Sequence, residues 1–116
     1  MALVSALAIG VGGAVGAVSR YAVGLAIERR ALDTAVVNVA GSFLLGALVG
    51  FDLPGQAALA LGVGFCGAFT TFSSFAVETV RLAEDEGVGP AAANAAGTLV
   101  VALAAALAGT ALAGGP

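Results

Sequence analysis

Four long apolar windows, joined by short polar connections, constrain this chain more than any other feature of its sequence. Their approximate bounds are residues 3–27, 34–51, 57–81 and 88–113. A helix crosses a bilayer with about 20 mostly apolar residues, and its backbone groups satisfy one another inside lipid. The windows therefore predict an all-α integral membrane protein, a single domain over residues 1–116 with four transmembrane helices. The first window is too long and glycine-rich for a cleaved signal peptide, so we expect it to be retained.

The scarcity of charged residues agrees with this class and excludes others. Only 9% of the 116 residues are charged and 60% are apolar, whereas about 25% of a typical soluble domain is charged. The chain has no Lys, and its net charge of −3 argues against nucleic acid as a partner. With no His and a single cysteine, Cys66, it has almost nothing for hydrolytic or redox chemistry. We therefore expect that it is not an enzyme.

The third window contains a stretch that is a poor helix interior. Residues 67–71 read Gly-Ala-Phe-Thr-Thr. Glycine raises the entropic cost of a helix, and threonine is stiff at χ1. A break in a membrane helix is tolerated only where protein, water or a bound ion completes the freed backbone groups. We therefore predict a break here, with the functional site beside it.

Candidate site residues lie around this stretch. Phe72 and Phe75 are three residues apart and share a helix face. They either pack in the core or direct their ring edges, the positive part of the ring, at a small anion. Ser74 and Glu78, four residues apart, share another face. Asn38 lies about one turn inside the second window. Its amide either forms a hydrogen bond to another helix or donates to an anion.

Arg20 lies on a glycine-rich face of the first window. This face carries Gly12, Gly16, Arg20 and Gly24 at four-residue intervals. Its glycines let a neighbouring helix approach closely. At about seven residues, or roughly 10 Å, from the helix end, it either snorkels to the interface or is a buried charge beneath an aqueous vestibule. The glycine face favours the buried position. Because the chain reverses direction, Arg20 and Asn38 reach a similar depth, which favours a wet cavity between them.

Three further features have local interpretations. Asp33 or Thr34 can cap the start of the second helix. The acidic residues 84–86 are expected to form a solvated turn. Asn94 and Thr98, four residues apart in the fourth window, are either a polar stripe along an ion path or contacts between helices.

Together, these motifs resemble the Fluc (CrcB) family of fluoride channels. The likeness rests on residues 12–21, 37–43 and 67–75 with Glu78, and covers three of the four windows in order. The resemblance implies a passive, fluoride-selective channel in the cell membrane that exports cytoplasmic fluoride and so relieves its toxicity. It also implies an antiparallel, dual-topology dimer centred on the break in the third span. The absence of a nucleotide motif fits passive flow better than a pump.

The resemblance implies roles for individual residues. The residues that would line or border the two fluoride pores are Asn38, Phe72, Phe75 and Ser74. Gly67 and Thr70 would offer backbone carbonyls to a structural Na⁺ at the dimer centre. Arg20 would be the arginine of the vestibule, and Glu78 matches the pattern without a defined role. The fourth window departs from the family pattern, because its tyrosine and serine track is not evident.

The arginines are distributed unevenly between the two sides of the membrane. Arg29, Arg30 and Arg81 all fall on the side of the first and third connections, and the opposite side has no Lys or Arg. The positive-inside bias then places both termini outside. Since a homodimer of opposed subunits needs a chain that inserts both ways, we hypothesise a second, oppositely biased homologue as partner, with the homodimer as the alternative.

Two other functions fit a four-span chain of this size. A small multidrug exporter needs a membrane-embedded carboxylate in its first span, and this chain has no acidic residue before Glu28. A structural or assembly subunit would only pack against larger membrane partners. Its function would not depend on Asn38 or Phe72. We rank the channel first, the structural subunit second and the exporter third.

Overall fold

The chain forms a bundle of helices in a computed structural model that describes residues 1–29 and 31–115. Four helices are long and apolar enough to cross a membrane: Ala2–Ala26, Leu32–Phe51, Gly55–Glu86 and Val88–Leu112. The first, second and fourth of these are continuous and are called α1, α2 and α6. The prediction of an all-α protein with four membrane spans is confirmed.

The third span is a series of segments rather than one helix. In chain order they are α3 (Gly55–Ala58), a π-helical segment (Leu59–Cys66), α4 (Gly67–Phe69) and α5 (Phe72–Glu86). Between α4 and α5 the backbone is extended, with φ −87° and ψ 164° at Thr70 and φ −151° and ψ 123° at Thr71. The predicted break is therefore confirmed, and it lies near the middle of the span.

Two local predictions are wrong. Residues 84–86 form the last turn of α5 rather than a loop, because nothing interrupts the helix before Gly87, whose φ of 103° ends it. Neither Asp33 nor Thr34 caps α2. The N-cap position is Ala31, in a left-handed conformation with φ 70°, and Thr34 bonds across to another helix instead.

Glycines bring α1 into close contact with the π-helical segment. A methyl group added at Gly12 would overlap the backbone carbonyl of Ala60, and one added at Gly16 would overlap that of Phe65. In lipid the hydrophobic effect does not drive helices together. Close van der Waals packing at small residues drives their association instead. The glycine face predicted for the first span is therefore the face on which the third span packs.

The helices α2 and α6 also pack closely through glycines. Gly46 of α2 lies against the backbone of Ala106, and Gly109 of α6 lies against that of Phe43. The bundle thus consists of two tightly packed pairs, α1 with the third span and α2 with α6. The break in the third span lies where α2 meets that span.

Gly16→Ala tests the glycine contact of α1. Its methyl group would force the backbone of α1 away from the Phe65 carbonyl, so we expect a loss of about 1–3 kcal/mol in the free energy of unfolding. Unfolding by sodium dodecyl sulfate in mixed micelles, followed by circular dichroism, measures this loss.

Gly10→Ala is the matched control on the same helix, because a Cβ at Gly10 would meet nothing within 4 Å. That variant should keep or gain stability, since alanine is the better helix former. Equal destabilisation by both substitutions would contradict a specific contact at Gly16.

Candidate ion site at the break in the third span

The amide side chain of Asn38 pairs with the backbone of the break. Its Nδ2 donates to the Thr71 carbonyl oxygen at 2.9 Å, and the Thr71 amide donates to its Oδ1 at 2.7 Å. Both backbone groups of Thr71 thereby gain partners that the interrupted helix does not supply. Asn38 makes the interhelical hydrogen bond that was one of its two interpretations. Its role as a donor to an anion stays a prediction.

The two threonines complete the helix ends on either side of the break. Thr71 Oγ1 accepts from the Ser74 amide at 3.2 Å and so caps the start of α5. Thr70 Oγ1 donates to the Cys66 carbonyl at 2.9 Å, which also accepts from the Thr70 amide at 3.1 Å. The residues that make this stretch a poor helix interior therefore satisfy backbone groups where the helix stops and restarts.

The carbonyl groups of Gly67 and Thr70 are among those that lose their helical partners at the break. In a continuous helix the Gly67 carbonyl would accept from the Thr71 amide, and the Thr70 carbonyl from the Ser74 amide. Those amides donate to Asn38 Oδ1 and Thr71 Oγ1 instead. Gly67, Thr70 and Asn38 also line one cavity of about 370 Å³. Carbonyls of unwound membrane helices are a ligand type that Na⁺ takes, so these residues fit the expected ion.

The two phenylalanines begin α5 beside this cavity. Phe72 lines it and is 79% exposed in the single chain. The ring centroids of Phe72 and Phe75 are 6.0 Å apart and the rings are inclined at 44°, so the shared face inferred from their spacing is confirmed. The exposed ring of Phe72 is available to another molecule. That the rings line an ion path stays a prediction.

A second polar cluster lies along another face of α5, the one that Ser74 and Glu78 share. Arg20 Nη2 donates to Ser74 Oγ at 2.9 Å, and Thr34 Oγ1 donates to Glu78 Oε1 at 3.0 Å. These bonds join α1 and α2 to α5 at positions one turn apart. Arg20 is half-buried and bonded within the bundle, which agrees with the buried interpretation.

In the fourth span, Asn94 Nδ2 donates to Thr79 Oγ1 at 3.1 Å and joins α6 to α5. Asn94 is therefore a contact between helices, one of its two interpretations. Thr98 forms no side-chain hydrogen bond to any described residue. The structure thus separates two residues that the spacing had grouped.

Sequence reasoning did not find the partners of Thr34 and Thr71. A signal for them exists in the spacing. Thr34 and Asn38 are four residues apart on α2, and both point at the third span, where they meet Glu78 and Thr71. Reading the polar positions of two antiparallel helices against each other would have paired them. The stacked pair Phe65–Phe69, with ring centroids 5.3 Å apart, was likewise not singled out, although its four-residue spacing was visible.

Four membrane-spanning helices, with a hydrogen-bonded polar site around a break in the third, define a class of small multi-pass membrane proteins suited to handling ions. The sequence model of the family described as CrcB-like protein, Camphor Resistance (CrcB), matches residues 7–110. The chain belongs to this family, as its motifs indicated.

Similar proteins extend the match over nearly the whole chain. A Natronomonas pharaonis protein named Fluoride-specific ion channel FluC 2 is 64% identical over 112 residues, which is 97% of each chain. A protein of the same name from Haloarcula marismortui is 53% identical, over 89% of this chain and 88% of its own. Fluoride-specific ion channel FluC of Nitrobacter winogradskyi is 38% identical, over 89% and 90%. The likeness therefore includes the fourth span, where the motifs were weakest.

Asn38→Ala tests the support of the break. It would leave the amide and the carbonyl of the buried Thr71 without their partners on α2, so we expect a loss of about 2–4 kcal/mol in the free energy of unfolding. The same unfolding titration measures it, and hydrogen exchange at the Thr71 amide should quicken.

Asn94→Ala is the control, since it removes one hydrogen bond to a hydroxyl group rather than two to the backbone. We expect a loss of about 1 kcal/mol for that variant. Equal losses for the two variants would argue against a special role for the pairing of Asn38 with Thr71.

Proposed function

We propose that this chain is the subunit of a fluoride-selective channel through which cytoplasmic fluoride leaves the cell passively. The observation that carries the proposal is the interrupted third span. Gly67 and Thr70, whose carbonyls are freed, line one cavity with Asn38 and the exposed Phe72. The chain is 38–64% identical to proteins named fluoride-specific ion channels.

The chemistry of the site suits a small anion. Fluoride is strongly hydrated, so a selective path has to replace its water with closely placed donors. Asn38 Nδ2 has a second hydrogen beyond the one given to Thr71, and Ser74 keeps its own hydroxyl hydrogen while accepting from Arg20. The ring edges of Phe72 and Phe75 add weak positive charge. Donors without a full charge let the ion leave again, as conduction requires.

Passive flow suffices for a protective role. Hydrogen fluoride is a weak acid that enters cells as the neutral molecule and ionises inside. Fluoride then leaves down its own gradient, helped by the negative interior of the cell. This transport makes and breaks no covalent bonds, so the chain acts as a channel and not as an enzyme. The result is resistance to fluoride.

We further propose an antiparallel dimer with a structural Na⁺ at its centre. The cavity at the break opens on the surface of the single chain, and interrupted backbone does not face lipid directly. A second subunit would cover the break and bring its own carbonyls of Gly67 and Thr70 opposite the first pair. Bound there, Na⁺ would offset the partial negative charge of the freed carbonyls. The extensive exposure of Phe72 suits a contact with that subunit.

The distribution of arginines supports a partner that is a different homologue. Arg29 follows α1 and Arg81 lies on α5, on one side of the membrane. Arg30, the third basic residue of that side, lies outside the described residues. A single orientation for this chain then calls for a partner with the opposite bias. The numbered names FluC 1 and FluC 2 among its relatives fit paired chains.

Efflux of fluoride from liposomes tests the function. With valinomycin and a fluoride electrode, the protein reconstituted together with the paired homologue of its host should release fluoride and retain chloride. Phe72→Ile removes a ring edge from the path, and we expect fluoride efflux to fall about tenfold, equivalent to about 1.4 kcal/mol in the barrier.

Phe51→Ile is the matched control, because Phe51 is an exposed phenylalanine at the end of α2, away from the break. Its efflux should equal that of the unaltered protein. Fluoride release that is insensitive to Phe72 would contradict a role for its ring edge, and no release even with the paired homologue present would favour the structural subunit. Resistance to cationic drugs without a fluoride phenotype would favour the exporter.

Reporter fusions test the orientation. Alkaline phosphatase fused to the C-terminus should be active and green fluorescent protein dark, because the arginine bias places the termini outside. Substituting Arg29, Arg30 and Arg81 together by Gln should make both reporters active. Activity of both reporters on the unaltered chain, or a conducting dimer formed by this chain alone, would remove the need for a second homologue.

A further inference from the structure

Arg20 and Glu78 face the same small polar cavity from opposite helices. The cavity has a volume of about 80 Å³ and lies between α1, α2 and α5. The residues that line it are Arg20, Asp33, Thr34, Val37, Ser74 and Glu78. Arg20 donates to Ser74, and Thr34 donates to Glu78. Each charged side chain is therefore hydrogen-bonded to a neutral residue, and these bonds do not join the two charges to each other.

The carboxylate of Glu78 has one oxygen free for this cavity. Its Oε1 accepts from Thr34, while Oε2 is buried and has no hydrogen-bond partner among residues 1–29 and 31–115. A buried carboxylate oxygen is costly to leave unpaired, and a polar cavity of this size has room for water. Water between Oε2 and the guanidinium of Arg20 would join the two charges across the cavity.

The charge of Arg20 lies where it can affect the flow of ions. Arg20 bonds directly to Ser74, which lies between Phe72 and Phe75 in the sequence. In surroundings poor in water, a full positive charge there attracts an anion strongly. An anion bound too tightly does not leave, and conduction requires that it does. Some negative charge therefore has to offset the guanidinium.

Among the charged residues near Arg20, Glu78 is the best placed to supply this negative charge. Asp33 lines the same cavity, but it also lines a wide cleft of about 450 Å³ that Arg20 and Tyr21 share, where solvent screens its charge. On its other side, Glu78 shares a groove with Arg81. It is thus the acidic residue between two arginines, with its Oε2 buried.

We propose that Glu78 determines how tightly the channel holds its anion, because its carboxylate offsets the charge of Arg20 across the small cavity. This inference rests on the proposed function and adds to it a residue that sets affinity and rate. Glu78 acts by offsetting the charge of Arg20 and is not itself a ligand of the ion.

Glu78→Gln separates this role from a merely structural one. The substitution keeps the size of the side chain and removes its charge, so the anion should bind more tightly and leave more slowly. We expect the half-saturating fluoride concentration and the maximal efflux both to fall about tenfold, as for one uncompensated charge nearby. A side chain that only stabilises the fold would lower efflux without raising affinity.

Three variants complete the measurement. Glu78→Asp keeps the charge and should retain the affinity of the unaltered protein. The double variant Arg20→Gln with Glu78→Gln removes both charges and should raise the half-saturating concentration back toward its original value. Glu84→Gln, an exposed acidic residue further along α5, should change neither quantity.

Fluoride binding measured by ¹⁹F NMR on the same purified samples keeps the two proposals distinguishable. Failure of the unaltered protein to release fluoride from liposomes, alone and with its paired homologue, would overturn the proposed channel function. Unchanged fluoride affinity in Glu78→Gln, or tighter binding that persists in the double variant, would overturn the role of Glu78. If Glu78→Gln does not fold, Arg20→Gln alone has to bind fluoride more weakly, and unchanged binding in that variant equally contradicts the inference.

Discussion

The pairing of the Asn38 amide with the backbone of Thr71 is the interaction on which the rest of this structure depends. A membrane helix that stops and restarts leaves amide and carbonyl groups that lipid does not hydrogen-bond. Asn38 satisfies one of each, at 2.9 and 2.7 Å. Because the Thr71 amide is used in this way, the carbonyl of Gly67 is released from the helix and becomes available to another ligand. The break and the site beside it thus have one common cause.

Several polar side chains of this bundle lie where helices meet and form hydrogen bonds between helices. Arg20 reaches Ser74, Thr34 reaches Glu78, and Asn94 reaches Thr79. All three bonds end on α5, the half of the third span that follows the break. Glycine contacts hold α1 against the preceding half through the π-helical segment. One half of the span is therefore held by close packing, and the other by hydrogen bonds.

The sequence predicted the parts of the fold that depend on local chemistry. Apolar windows gave the spans, weak helix formers gave the break, and spacing gave the shared face of Phe72 and Phe75. Partners across helices were not predictable in this way, because they depend on the depth and rotation of each helix. Thr34 illustrates this limit. It is a good N-cap residue by type, yet its hydroxyl is buried against Glu78, and the cap position belongs to Ala31.

The π-helical segment has a geometric consequence for the chain that follows it. Ala60 and Phe65, five residues apart, both lie against glycines of α1 that are four residues apart. In a regular α-helix, residues five apart point about 140° away from each other, so only one of them could face α1. A π-helix, bonded from each residue to the fifth along the chain, brings such residues to one side. The number of residues in this segment, more than their identity, therefore sets the direction in which every side chain beyond Cys66 emerges. Insertions and deletions here should be tolerated far less than substitutions at its outward-facing positions.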